Sequence, residues 1–154
     1  MLIRLTPAEA MALAAVVGVD VPPIITSVAG DGDVVRVTVD LGKSDDLPAP
    51  LKLAARAAPI ARAEVRVLGL TRGVVTLGLE IHAARLPVSK LLGLLSRPIK
   101  SQLAAQGLPR DAVDIHPDKV VVDVDALLAE RAPGVSVNDV KIMHGEVVVR
   151  ASVG

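Results

Sequence analysis

The chain of 154 residues contains no cysteine and no phenylalanine, tyrosine or tryptophan. The lack of cysteine excludes disulfides, a thiolate nucleophile and any cysteine-based zinc or iron–sulfur site. The lack of aromatic rings excludes the usual surfaces on which proteins stack the bases of single-stranded nucleic acid. We therefore expect no nucleic-acid partner and a core assembled from valine, leucine, isoleucine and alanine.

A core without aromatic side chains has two interpretations. Each aromatic side chain normally buries about 150–250 Å², and small aliphatic side chains fill a wide interior less well. The chain is either an ordinary solid domain with a biased composition or a domain with a thin or hollow interior that a ligand fills.

Long uncharged apolar runs are also missing, so we expect no membrane-spanning segment. The opening stretch, "MLIRLTPAEAMALAAVVG", is interrupted by a proline and a glutamate and does not resemble a signal peptide. We predict instead an amphipathic helix in which Thr6 is the N-cap, Pro7 takes the first position, Glu9 completes a T-x-x-E capping box and Gly18 ends the helix. These features favour a cytoplasmic or peripheral-membrane location.

Catalytic and metal motifs are absent from the sequence. "LGKS" at 41–44 resembles the end of a phosphate-binding loop, but the glycine required five residues earlier is Val37. "GDGD" at 30–33 lacks the further ligands of a calcium loop. The chain has three histidines, His82, His116 and His144, and the spacing between them matches no metal-binding motif. We therefore expect no catalytic residue, metal or cofactor. An enzyme, namely a hydrolase or isomerase whose acid–base groups form no recognisable motif, is the weakest of the functional alternatives.

Four segments share the form of a β-hairpin, with a β-branched run on each side of a turn signal. In chain order the turn signals are Asp-Gly, Arg-Gly, His-Pro-Asp-Lys and His-Gly. Together they predict up to eight strands, mostly antiparallel. The segments are 27–41, 65–81, 112–127 and 139–153.

Within these segments apolar and polar residues alternate. Val35, Val37 and Val39 alternate with Arg36 and Thr38, and the same period recurs around residues 75–81 and 120–124. Alternation gives a sheet one apolar face, which must pack against a second layer.

We expect that second layer to be helical, from the N-terminal helix and from residues 50–58, 87–106 and 125–132. The predicted fold class is α+β in one domain, 1–154. It is a curved antiparallel meander of about eight strands, packed on or wrapped around a long kinked helix with short helices beside it.

The long helix is predicted from "LPVSKLLGLLSRPIKSQLAAQ", residues 86–106. Pro98 cannot donate its backbone hydrogen bond, so we expect a kink there. The helix is either ordinary core packing or one wall of an apolar groove, whose ligand-binding residues would then lie on one helical face. That face comprises Val88, Leu91, Leu92, Leu95, Ile99 and Leu103.

Charge is unevenly distributed although the whole chain is neutral. Residues 1–50 carry a net charge of −4, residues 51–110 carry +8 and residues 111–154 carry −4. Cations of the middle segment are expected to contact lipid headgroups or an anionic membrane surface, or alternatively to pair with the acidic flanking strands. The residues predicted for this contact are Arg85, Lys90, Arg97 and Lys100.

The order of these elements resembles the tubular lipid-binding (TULIP-like) proteins, which include LmeA-type lipid-associated proteins. The resemblance covers about residues 61–153. It lies in the helix "LPVSKLLGLLSRPIKSQLAAQGLP" and in the hairpins "AVDIHPDKVVVDVDALL" and "VSVNDVKIMHGEVVVRASV". It implies a curved sheet that holds lipid against a long helix, with no catalytic residue.

Two functions from different classes follow. The first is non-enzymatic binding of a lipid or another apolar or amphipathic ligand in a groove between helix 87–106 and the sheet, with peripheral membrane association. The second is a structural or protein-interaction module that forms homo-oligomers through its apolar helix face or a sheet edge.

Overall fold

A computed structural model describes residues 1–16, 25–43, 49, 52–53, 56, 59–82, 96, 100–101 and 103–154. Over these residues the chain is a mixed α and β protein whose strands all pair antiparallel. The expected class and strand orientation are confirmed. The strands number nine in the described part of the chain, close to the eight expected.

The larger sheet has six strands in the order β2-β3-β4-β5-β7-β6. Its first four strands follow one another as a meander, and β7 lies between β5 and β6. The strands are β2 (Ile25–Asp31), β3 (Val34–Asp40), β4 (Ile60–Thr71), β5 (Val74–His82), β6 (Val113–Ile115) and β7 (Lys119–Asp123).

The smaller sheet has three strands in the order β1-β9-β8. It brings together the first and last segments of the chain, since β1 (Leu2–Leu5) pairs with β9 (Glu146–Val153), which also pairs with β8 (Val135–Met143). The backbone of Met1 adds to this contact, because its amino group donates to the carbonyl oxygen of Ala151 at 2.9 Å.

The prediction of one continuous meander was therefore wrong. The chain leaves the larger sheet at Asp123, whose carboxylate accepts a hydrogen bond from the N–H of Ala126 at 3.0 Å and caps helix α2 (Val124–Arg131). Val124, predicted to continue the strand, is the first residue of that helix. The hairpin that follows α2 then pairs with β1 instead of with the larger sheet.

Two of the hairpin turns have positive φ at both central residues, as a type I′ turn requires. Arg72 and Gly73 have φ of 52° and 77° between β4 and β5. His144 and Gly145 have φ of 54° and 73° between β8 and β9. These turns fall where the Arg-Gly and His-Gly signals predicted them.

The N-terminal helix, α1 (Pro7–Val16), begins with the predicted capping box. The Thr6 hydroxyl oxygen accepts from the N–H of Glu9 at 3.1 Å, and the Glu9 carboxylate accepts from the N–H of Thr6 at 3.2 Å. The predicted helix end at Gly18 lies outside the described residues.

Helix α2 occupies nearly the range predicted for the last helix, 125–132. Its acidic first turn also connects it to the smaller sheet, because the Asp125 carboxylate accepts from the N–H of Val137 at 3.0 Å.

Two predicted helices are described only in part. The described members of 50–58 are helical: Lys52, Leu53 and Arg56. Within 87–106 the described helical residues are Ser96, Lys100, Ser101 and 103–105, and Gln106 lies in the turn that follows. The helix predicted at 87–106 ends in a Schellman motif. The N–H of Leu108 donates to the carbonyl oxygen of Leu103, and the N–H of Gly107 donates to that of Ala104. Its predicted length and its kink at Pro98 lie outside the described residues.

The two sheets meet where their hairpin turns touch. The N–H of Gly145 donates to the carbonyl oxygen of Gly32 at 2.9 Å. Gly30 packs so closely against this turn that a Cβ on it would overlap the carbonyl of Gly145. Fully buried apolar side chains are few and small among the described residues: Val34, Leu41, Ala61, Val75, Leu108, Ala112, Val113, Val137, Val148 and Ala151.

Replacing Gly30 with alanine should therefore destabilise the fold. Because the overlapping atoms belong to the backbone, a strand must shift, and we expect a loss of about 1–3 kcal/mol in the free energy of unfolding. Urea unfolding followed by far-UV circular dichroism measures it.

Gly69→Ala is the matched control, because Gly69 has a negative φ and open space where the Cβ would lie. Equal losses for the two substitutions would contradict the close contact between the sheets.

Candidate functional site

The six-stranded sheet has one face made almost wholly of aliphatic side chains. Its register shows why, since Val37 lies opposite Val28 and Ala63. Val65 likewise lies opposite Val35 and Leu79. We call this surface the aliphatic face: Val28, Val35, Val37, Ala63, Val65, Val67, Leu77, Leu79, Ile81 and Val120.

The aliphatic face is buried at its two ends and only half-buried between them. Ala61 at one end is 5% exposed, and Val75 and Val113 at the other end are 3% and 9% exposed. Every residue of the aliphatic face as defined has intermediate exposure. The middle rows of the sheet thus retain apolar surface that is accessible to solvent or to a ligand.

The structure describes only two of the residues predicted for the ligand and headgroup sites. Leu103, predicted on the apolar helix face, is helical and half-buried. Lys100, predicted to contact a headgroup or membrane, is also helical and half-buried. Positions three apart are neighbours on a helix surface, so Lys100 lies beside Leu103. The other predicted residues lie outside the described residues: Arg85, Val88, Lys90, Leu91, Leu92, Leu95, Arg97 and Ile99.

The opposite face of the same sheet is polar and charged. We call it the hydrophilic face: Arg36, Thr38, Arg62, Glu64, Arg66, Glu80 and His82. Glu64 is central to its ion pairs, with carboxylate oxygens 3.6 Å from Arg36 Nε and 3.8 Å from a terminal nitrogen of Arg66. Arg36 also contacts the Asp31 carboxylate at 2.9 Å. The cations of β3 and β4 are thus partly neutralised by neighbouring strands.

A cleft of about 450 Å³ separates the C-terminal half of β4 from β8. Among the described residues no strand pairs with β4 beyond Val65 on that side, because β3 begins only at Val34. The walls are residues 66–70 and 138–142, and their charges balance, with Arg66 and Lys141 against Asp33 and Asp139. This balance gives the cleft no preference for a ligand of either charge.

Histidines do not form a metal site in the part of the chain that the structure describes. His116 contacts Asp114 at 3.2 Å and His82 contacts Glu80 at 3.9 Å. Among the described residues, no three histidine, aspartate or glutamate side chains come together in a way that could hold a metal ion. In the same residues, no helix has the length and hydropathy to cross a membrane.

Comparison of the chain with protein-family models, with curated proteins and with solved structures finds no match. The resemblance to tubular lipid-binding proteins accordingly remains a prediction from the order of the elements.

Sequence reasoning missed the hydrophilic face as a site. It assigned Arg36 and Thr38 to solvent-exposed positions, but it did not pair β3 with β4 and so could not place Arg62 between Thr38 and His82. The signal was present in the alternation of "RAEVRV", residues 62–67. This alternation starts three residues before the predicted hairpin segment 65–81.

Glu64→Gln should cost little stability. Arg36 and Arg66 have side chains that are 59% and 53% exposed, and solvent-exposed ion pairs contribute about 0–1 kcal/mol. We expect a loss below about 1 kcal/mol in the free energy of unfolding.

Asp125→Ala provides the contrast, because it leaves the part-buried N–H of Val137 without its acceptor, at an expected cost of about 1–3 kcal/mol. Denaturant unfolding compares the two. A larger loss for Glu64→Gln would mean that the hydrophilic face contributes much more to folding than its exposure indicates.

Proposed function

We propose that this protein binds a lipid, or another apolar or amphipathic ligand, without catalysing a reaction. The ligand lies on the aliphatic face, between the six-stranded sheet and the helix of residues 87–106. The observation that supports the proposal is the intermediate exposure of the aliphatic face over five neighbouring strands. Apolar surface of this kind gains about 25 cal/mol for each Å² that a ligand removes from water.

The size of the side chains supports the same proposal. Valine and alanine predominate on the aliphatic face, and the chain has no aromatic side chain that could extend from the sheet to a facing helix. A sheet that curves around such a helix therefore leaves room for a ligand chain. In this arrangement the apolar helix residues that include Leu103 form the second wall.

We further propose that the cations of residues 85–100 contact the ligand headgroup or an anionic membrane surface. Arg85, Lys90, Arg97 and Lys100 occupy a stretch of sequence, 81–110, that has no acidic residue. Each cation near an anionic surface contributes about 1 kcal/mol. The half-buried position of Lys100 is compatible with this contact, because a lysine can bury its stem and extend its charged end to the surface.

The alternative is a homo-oligomer formed through a sheet edge. β1 is an outer strand of the smaller sheet, and Leu2 on it and Met1 just before it are 54% and 62% exposed. Exposed apolar residues at the free edge of a sheet favour association with a second strand. Sedimentation of the purified protein decides between a monomer and an oligomer, and lipid extraction with mass spectrometry shows whether lipid co-purifies.

Val65→Thr should weaken the binding of an apolar ligand, and it changes the shape of the side chain very little. The added hydroxyl lies in the middle of the aliphatic face, and burying it without a partner costs about 1–3 kcal/mol, so we expect a five- to hundredfold loss of affinity. The measurement is titration with the fluorescent fatty acid cis-parinaric acid.

Val121→Thr is the matched control. It makes the same substitution on a strand of the same sheet, but Val121 lies opposite Thr76 and Asp114 on the other face. Equal losses for the two variants, or the absence of fatty-acid binding by the unmodified protein, would contradict the proposed site.

Reversal of Lys90, Arg97 and Lys100 to glutamate should weaken binding to vesicles of phosphatidylcholine with phosphatidylserine, and the difference should decrease at high salt. Co-sedimentation measures the bound fraction. The control reverses the same net charge on exposed residues of the smaller sheet, Arg4, Lys141 and Arg150. If both triple variants lose binding equally, net charge alone accounts for the attraction and the proposed contact is wrong.

A further inference from the structure

A second groove, of about 580 Å³, lies on the hydrophilic face of the larger sheet. It crosses two successive rows of cross-strand neighbours on β2, β3, β4 and β5. The first row is Ala29, Arg36, Glu64 and Glu80, and the second row is Ser27, Thr38, Arg62 and His82.

The charged residues of the first row are paired with each other or with neighbouring residues. Arg36 contacts Asp31 at 2.9 Å and Glu64 at 3.6 Å. Glu80 lies 3.9 Å from His82. This row therefore offers an incoming anion no unpaired cation.

The second row differs because it contains no carboxylate. Arg62 makes no side-chain hydrogen bond or ion pair with any partner among the described residues, although Arg36 and Arg66 on the same face are both paired. Its cross-strand neighbours are Thr38 on one side and His82 on the other, with Ser27 beyond Thr38. All four side chains can donate hydrogen bonds, and the guanidinium carries a full charge.

We infer that this row binds a phosphate group, from a free phosphomonoester or from the headgroup of a phospholipid. Adjacent strands are about 4.8 Å apart, so Thr38 on β3 and His82 on β5 flank Arg62 on its two sides and add donors next to an ion that the guanidinium binds. A phosphomonoester offers three non-bridging oxygens to these donors, whereas a carboxylate offers only two. The guanidinium fork also matches phosphate geometry with two parallel hydrogen bonds.

This site is independent of the proposed lipid site, because it occupies the opposite face of the sheet. A headgroup bound here belongs to a membrane surface that the hydrophilic face approaches, and its acyl chains do not reach the aliphatic face.

The test is titration of the ¹⁵N-labelled protein with inorganic phosphate and with glycerol 3-phosphate, and co-sedimentation with phosphatidylcholine vesicles that contain phosphatidic acid. We expect saturable shifts at the amides of Thr38, Arg62 and His82. Arg62→Gln should lower the affinity at least about tenfold, since a charge-assisted contact is lost. Arg66→Gln, an arginine on the same strand and face that is paired with Glu64, should leave the affinity within about twofold.

Glu64→Gln should act in the opposite direction, because it removes a negative charge from the groove and releases Arg36 from one of its two carboxylates. We expect an affinity gain of about two- to fivefold.

Binding that depends on Arg62 in any of the three assays supports the site, and the assay that gives it identifies the source of the phosphate. Binding in none, or binding that Arg62→Gln and Arg66→Gln reduce equally, overturns it. The side chain of Arg62 is exposed, so we expect its variant to fold normally. Overlay of the amide spectra of the variants checks this.

Discussion

Cross-strand register is the constraint on which the rest of this structure depends. Across β2 to β5 aliphatic side chains lie opposite one another on one side of the sheet, and most of the charged side chains are grouped on the other. A slip of one residue would exchange the faces of a strand and bury arginine among valines. The β4–β5 turn, with positive φ at Arg72 and Gly73, fixes the register of the two central strands.

Local features of the fold were predictable because their signals are local. The capping box at Thr6 and Glu9, the turns at Arg-Gly and His-Gly, and the helix that begins after Asp123 all depend on residues within four positions of one another. The division into two sheets was not predictable in this way. It depends on the close approach of Gly30 to Gly145, which are 115 positions apart in the chain, and on the bond from the N–H of Val137 to Asp125.

The candidate sites show the same distinction. Alternation within one segment predicted which valines share a face, and the register confirms that for Val35 with Val37 and for Val75 with Leu77. The phosphate site required knowledge of which strands are neighbours, because Ser27, Thr38, Arg62 and His82 come from four strands. Lys100 is half-buried and lies three positions before Leu103, so the two residues are neighbours on the helix surface.

The uneven charge of the sequence explains why Arg62 has no carboxylate partner in the part of the chain that the structure describes. Residues 51–110 contain ten basic side chains and only two acidic ones, Glu64 and Glu80. Both acids lie in the row next to Arg62: Glu64 contacts Arg36 and Arg66, and Glu80 contacts His82. The acid-rich segments 1–50 and 111–154 neutralise some of these basic side chains, as Asp31 does for Arg36. Among the described residues, however, none of their carboxylates lies within ion-pair distance of Arg62. A cation in this position retains its capacity to bind an anion from outside the chain, which is the property that the phosphate proposal requires.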